Sequence, residues 1–228
     1  MQDGTIRYMQ KLFSAIAGKY DRMNRIMTLG LDLHWRRAAL GGIELPPHAS
    51  ALDLACGTGD FSIEALRRWP SVSVTGVDIT PEMLDAARSK LPKGENMKFM
   101  VGDAQNLHAL HDQSFQLIMC AFGFRNFPDK AKALRECHRL LADGGRLVVL
   151  ELFRPASRIA GAAVNAWIAA IARMFARGSE EEYAYLRHSV ANTLSASAFS
   201  AIAGEAGFRE CYRQFLLPSA TCLVFEKV

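Results

Sequence analysis

Between Ser50 and Leu152 the apolar residues fall into short dense runs separated by stretches of helical spacing. "SALDLAC", "VSVTGVDI", "MKFMVGDA", "FQLIMCAFGF" and "GRLVVLEL" are rich in Val, Ile, Leu and Met and alternate little. Strands buried on both faces have this character. "DFSIEALRRW", "PEMLDAARSKL" and "DKAKALRECHRLL" lie between them and carry helical periodicity; the second places a proline in its first turn. Such alternation predicts an α/β domain with a doubly wound, mostly parallel sheet. "RECYRQFLL" and "TCLVFEKV" add two strands near the C-terminus, making seven. Residues 1–45 read as an N-terminal helical cap, and residues 46–228 as the main domain with a helical insertion over 153–195.

The pattern breaks in "LDLACGTGDFSI", where the first apolar run stops at Gly57 and Gly59. In an open parallel sheet this is the ligand-binding end, beyond the carboxyl ends of the strands. Glycine there lets a ligand approach the main chain closely. Roughly 20 residues on, Asp78 ends the second strand, where an acid can take both ribose hydroxyls. The pairing implies a nucleotide or nucleoside. A dinucleotide fingerprint requires a third glycine where this chain has Ser62, and Asp60 at the helix start would repel a pyrophosphate. A phosphate-free, positively charged ligand suits the site better, and S-adenosyl-L-methionine is one. Asp103, ending the third strand in "VGDA", is placed to accept from an adenine amino group. Taken singly, Asp60 and Asp103 also fit a helix-dipole residue and a turn residue.

Composition narrows the field. Half of the 228 residues are hydrophobic and 22% are charged, with a formal net charge of +4. This excludes a disordered chain and offers no strong electrostatic footprint for nucleic acid. The five cysteines form no CxxC pair, and "HALH" at 108–111 reads as a surface turn, so no metal site is expected. No uncharged apolar run reaches membrane-span length, and the start lacks a signal-peptide core, which points to a cytoplasmic protein.

"YDRMNRIMTLGLDLHWRR", "LDLACGTGDF", "AFGFRNFPDKAKALRECHRLL" and "DGGRLVVLE" together resemble the signatures of the quinone C-methyltransferases. These are the demethylmenaquinone and ubiquinone-biosynthesis enzymes of the class I, Rossmann-like methyltransferase fold. The resemblance implies methyl transfer from S-adenosyl-L-methionine to a ring carbon of a prenylated hydroquinone. By it Thr58, Asp78, Asp103 and Ala104 hold the cofactor, with Gly57 and Gly59 at the turn. Ala121 contacts it through the backbone, standing where many members have serine.

A phenol ring carbon becomes a competent nucleophile only once the neighbouring hydroxyl loses its proton, so the site must align the reactants and stabilise a phenolate. Arg125 in "FGFRN" is a candidate for that task; the alternative is an ion pair with a nearby acid. Tyr20, from the cap, could polarise a proton-accepting water or simply pack, and Asp60 is the third catalytic candidate. Trp35, with Arg36 and Arg37, is expected to anchor the cap. The stretch from Phe153 to Gly178 carries Arg154, Arg158, Arg173 and Arg177 but no acid. It reads as a membrane-interface helix at the inner face of a membrane, a channel for a prenyl tail, or plain core. The expected partner is a small prenylated quinol; both a monomer and a homodimer are compatible with the sequence.

Overall fold

The computed structural model describes residues 2–91, 96–155, 157–175, 180–216 and 220–228. Strands β1 (Ser50–Leu54), β2 (Ser73–Asp78), β3 (Met97–Val101), β4 (Phe115–Ala121), β5 (Leu141–Glu151), β6 (Phe208–Leu216) and β7 (Ala220–Lys227) form one sheet. Their order is β3-β2-β1-β4-β5-β7-β6. The first five pair in parallel, and β7 runs antiparallel to both β5 and β6. This is the seven-stranded, mostly parallel sheet expected. One boundary differs: β5 begins at Leu141 rather than near Gly145, because Leu141 pairs with Phe115 before a register shift.

Successive strand residues feed two separate cores, as the pleat requires. Ile118, Cys120, Leu147, Val149, Leu223 and Phe225 point to one face, among them and beside Leu134 of α6 (Lys130–Leu140) and Phe199 of α9 (Ala196–Glu205). Leu117, Met119, Val148, Leu150 and Cys222 point to the other. There they meet Phe61 and Ala65 of α4 (Asp60–Arg68) and Trp35 and Ala39 of α3 (Leu31–Ala39). Burying side chains of this size contributes about 1.5–3 kcal/mol each relative to exposure. Trp35 therefore anchors the N-terminal segment, and α3 packs into the main core. Leu84 and Ala87 of α5 (Pro81–Lys90) are also fully buried.

The remaining N-terminal elements are α1 (Gln2–Ile16), a short 3-10 turn and α2 (Tyr20–Thr28). Ile16 and Ala17 pack on Met83 of α5. The insertion forms α7 (Arg158–Phe175) and α8 (Glu180–Ala191). Of the side chains described on α7 none is buried, and Ala162, Ala163, Ala166, Trp167 and Arg173 are exposed. Arg177 lies outside the described residues, as do the side chains of Arg158, Ile159, Ile168, Ile171, Met174 and Phe175. No described helix is long and apolar enough to cross a membrane. Cys56, Cys120, Cys137 and Cys222 are buried thiols, and Cys211 is exposed.

Candidate active site

The sheet order reverses between β1 and β4, so the chains leaving these two strands diverge and open a crevice. The first residue after each, Ala55 (φ 50°) and Phe122 (φ 60°), is a non-glycine residue in the left-handed region. Strain of this kind persists only where surrounding structure enforces it, and it gathers at functional sites. Gly57 (φ 54°) and Gly59 (φ 81°) continue the turn in the same region, which explains the bare stretch of sequence. A side chain on Gly59 would also come within 3.2 Å of Ala87 Cβ on α5.

A cleft of about 750 Å³, open to solvent, fills this crevice. Its floor includes Ala55, Gly57, Asp78, Asp103, Ala104 and Ala121. Asp78 is 8% exposed. Its Oδ2 accepts the Gly57 N–H at 2.8 Å and its Oδ1 accepts the Thr80 N–H at 2.9 Å. Burial raises its pKa, and the N–H groups of Thr80 and Gly57 pull it back only part of the way. Asp103 accepts from the backbone N–H of Gln105 at 2.9 Å and from its side-chain amide.

The roof comes from the N-terminus. Ile6, Met9 and Phe13 share one face of α1, and Tyr20 lies over the glycine turn, 3.8 Å from where a Gly57 Cβ would sit. Phe13 meets Tyr20 edge-on at 6.1 Å and also meets Tyr185 of α8 at 6.5 Å. At the far side stand Gly123, Asn126, Phe127 and Pro128, beyond β4. Among the described residues, Asp78 and Asp103 are the only Asp, Glu, Lys, Arg or His side chains in the lining. An acid-bearing cleft whose described lining holds no cation disfavours phosphate and suits a neutral or cationic nucleoside. This, with lone pairs on Asp78 beside a bare main chain, fits S-adenosyl-L-methionine.

Six expected site residues thus meet in one cleft: Tyr20, Gly57, Asp78, Asp103, Ala104 and Ala121. Thr58, Gly59, Asp60 and Arg125 do not line it. Thr58 is buried and donates its hydroxyl to Asp21 of α2, tying the turn to the cap. Asp60 requires a correction. Its carboxylate is held by Lys90 Nζ at 2.6 Å and Arg25 Nη2 at 2.7 Å. Burial opposes its ionisation, but the Lys90 and Arg25 bonds outweigh that and hold it below the usual range. A carboxylate so neutralised neither repels a pyrophosphate nor serves as a base; the lack of a cation among the described lining residues carries that argument instead.

Arg125, the candidate for stabilising a phenolate at the rim, is instead paired with an acid. Its Nη1 donates to Glu151 Oε1 and to the Phe122 carbonyl, each at 2.7 Å. Its backbone N–H donates to Glu151 Oε2 at 3.1 Å. Burial favours discharge of Arg125, but Glu151 more than compensates and its pKa is raised. The pair is deep, with side chains 7% and 1% exposed. The ion-pair alternative is the one observed, and it braces the loop that presents Asn126.

Sequence reasoning missed Asn126, Gln105 and the apolar wall of α1. The spacing of Ile6, Met9 and Phe13 could have revealed the wall, and Asn126 stands beside Arg125 in "FGFRN". Gln105, whose Oε1 accepts the Asp129 N–H at 2.8 Å, carries no such signal.

The fold and the acid-lined crevice define an S-adenosyl-L-methionine-dependent methyltransferase. The sequence profile of the ubiE/COQ5 methyltransferase family matches residues 1–223, and the chain belongs to that family. It is 40% identical to a demethylmenaquinone methyltransferase of Thermotoga maritima, across 98% of both chains. It is 36% identical to a ubiquinone/menaquinone biosynthesis C-methyltransferase of Desulfotalea psychrophila, over 92% of this chain and 86% of that one. In fold it is similar to a SAM-dependent methyltransferase of Aquifex aeolicus, with TM-score 0.64 and 18% identity over 90% of this chain and 98% of that chain.

Proposed function

We propose that the protein methylates a ring carbon of a prenylated hydroquinone in menaquinone biosynthesis. The full-length similarity to a demethylmenaquinone methyltransferase at 40% identity carries this reading. The cleft supports it: beside the nucleoside-binding acids it offers an apolar and aromatic chamber made by Met9, Phe13, Tyr20 and Phe127. Bound there, S-adenosyl-L-methionine supplies an electrophilic methyl group.

The chain's own residues do the rest. Asp78 takes the ribose hydroxyls and Asp103 the adenine amino group, while the main chain of Ala55 to Gly59 allows close approach. Phe13 and Tyr20 roof the cleft and exclude water, which strengthens every polar contact inside. Asn126 and the Tyr20 hydroxyl serve the acceptor's oxygen. Arg125, bound to Glu151, acts indirectly by fixing the loop that carries Asn126.

The reading extends to a lipid surface, because a prenylated acceptor resides in one. Leu29, 71% exposed and in the left-handed region, stands in the α2–α3 turn with Leu31. Trp167 of α7, also exposed, donates its indole N–H to Met27 O at 3.0 Å and so joins this turn to α7. Arg22 and Arg173 are exposed on the same two helices. Apolar tips with cationic neighbours suit peripheral contact with an anionic inner membrane face, from the cytoplasm.

The test is incubation with methyl-labelled S-adenosyl-L-methionine and a panel of reduced quinone precursors, with mass analysis of products. One added methyl on the ring of reduced demethylmenaquinone is expected. Label on oxygen, or on none of the quinols, overturns the proposal.

A further inference from the structure

Asn126 is the polar side chain that the acceptor end of the cleft presents, and its amide is held from outside. Tyr185 Oη of α8 donates to Asn126 Oδ1 at 2.9 Å. An amide has one acceptor and one donor end. With Oδ1 engaged by a hydroxyl, the NH2 end is the one left to serve the cleft. Burial raises the Tyr185 pKa, with Arg125 offsetting part of the rise, so the hydroxyl stays a donor at neutral pH. The ring is fixed in turn by Tyr8 at 6.2 Å and Phe13 at 6.5 Å, both on α1. A tyrosine from the helical insertion thereby sets the polarity of a side chain in the active-site cleft.

We infer that Tyr185 is a positioning residue: it locks the Asn126 amide with its NH2 toward the acceptor, where it donates to the oxygen that becomes a phenolate. The inference rests on the quinol reading above and goes beyond it. A donor at that oxygen favours the ionised phenol and disfavours acceptors lacking a hydroxyl beside the reacting carbon.

The experiment is steady-state kinetics of full-length Tyr185→Phe, Asn126→Ala, the double variant and Asn126→Asp, with reduced demethylmenaquinone as acceptor. Tyr185→Phe keeps the ring contacts and removes only the donor. Its kcat/KM for the acceptor should fall roughly 3- to 10-fold, the scale of one neutral hydrogen bond. Affinity for S-adenosylhomocysteine should hold. The acidic limb of its pH profile should move to higher pH, since the bound phenol ionises less readily. Asn126→Ala should lose about 10²-fold, the scale of a lost oxyanion donor. The double variant should be no worse than Asn126→Ala. Asn126→Asp should be slower than Asn126→Ala, because its carboxylate would face the phenolate. Multiplicative losses in the double variant, or an unshifted pH profile in Tyr185→Phe, refute the inference. So does an Asn126→Asp variant faster than Asn126→Ala. A wild-type protein inactive on every quinol refutes the functional reading instead.

Discussion

Replacing Asp78 separates what the fold asks of this carboxylate from what the cofactor asks. Two N–H groups converge on it, one per oxygen, from the half-buried Gly57 and the buried Thr80. Asparagine offers one acceptor oxygen, so Asp78→Asn forces one of those N–H groups against an NH2. Each hydrogen bond to a charged group is worth about 1.5–3 kcal/mol, and Asp78→Asn should destabilise the fold by about that much. Asp78→Ala forfeits both bonds and should cost nearly twice as much. The ribose hydroxyls add a separate loss on binding, again about 1.5–3 kcal/mol, or roughly 10- to 150-fold in Kd. Denaturant unfolding reads the first quantity, and isothermal titration with S-adenosylhomocysteine on the folded fraction reads the second. An Asp78→Ala protein that is folded and binds with unchanged Kd would falsify the assignment. One that is weakened only in stability would leave Asp78 a brace for the glycine turn.

Other outcomes follow from buried charges. Glu151→Gln strands the Arg125 guanidinium and should cost about 3–5 kcal/mol, whereas Arg125→Met with Glu151→Leu should recover most of it; equal losses in chemical denaturation contradict the pairing argument. Asp53, 1% exposed and bonded to Ser62, has its pKa raised to about 7 by burial, against the pull of the Ser62 hydrogen bond and of Arg36. Its stabilising contribution is therefore complete below pH 3.8 and is lost as pH rises toward 7, at about 1.4 kcal/mol per unit. Asp53→Asn should flatten that part of the stability profile; an unaltered slope refutes the shift. In flotation with anionic vesicles, Leu29→Ser with Trp167→Ser should leave more protein unbound than wild type, and equal partition removes that face from membrane contact.

The parallel part of the sheet was legible because its strands announce themselves locally, by short dense apolar runs closed by a glycine or an acid. The place of Asp78 in the cleft was legible for the same reason, since the step from the glycine turn to the acid ending β2 is fixed by one strand–helix–strand unit. Asp60 and Arg125 were misjudged because their partners come from elsewhere in the chain. Lys90 arrives from the end of α5, Arg25 from α2 and Glu151 from the end of β5. A charge seen in sequence shows what it can do; only the fold shows whether it is already occupied. Asn126 adjoins Arg125 in the sequence, but its hydrogen-bond partner Tyr185 stands 59 residues away and could not be read from it.

The charges joining the N-terminal helices to the sheet alternate in sign. Asp21 binds Lys90, Lys90 binds Asp60, Asp60 binds Arg25, and Arg25 binds Asp32, which also holds Arg36. Asp21 and Arg25 belong to α2, while Asp32 and Arg36 lie on the core-packed α3 and stay with Lys90 and Asp60 on the sheet side. Each side therefore carries balanced charge. If α1 and α2 swing away to admit the cofactor, three ion-pair contacts part, yet neither half bears net charge. Such a clasp resists shear at contact distance but exerts almost no pull once separated by a layer of water. The chain has in effect a short-range fastener, firm when shut and indifferent when open, in the place where a turnover cycle must both seal and release its ligand.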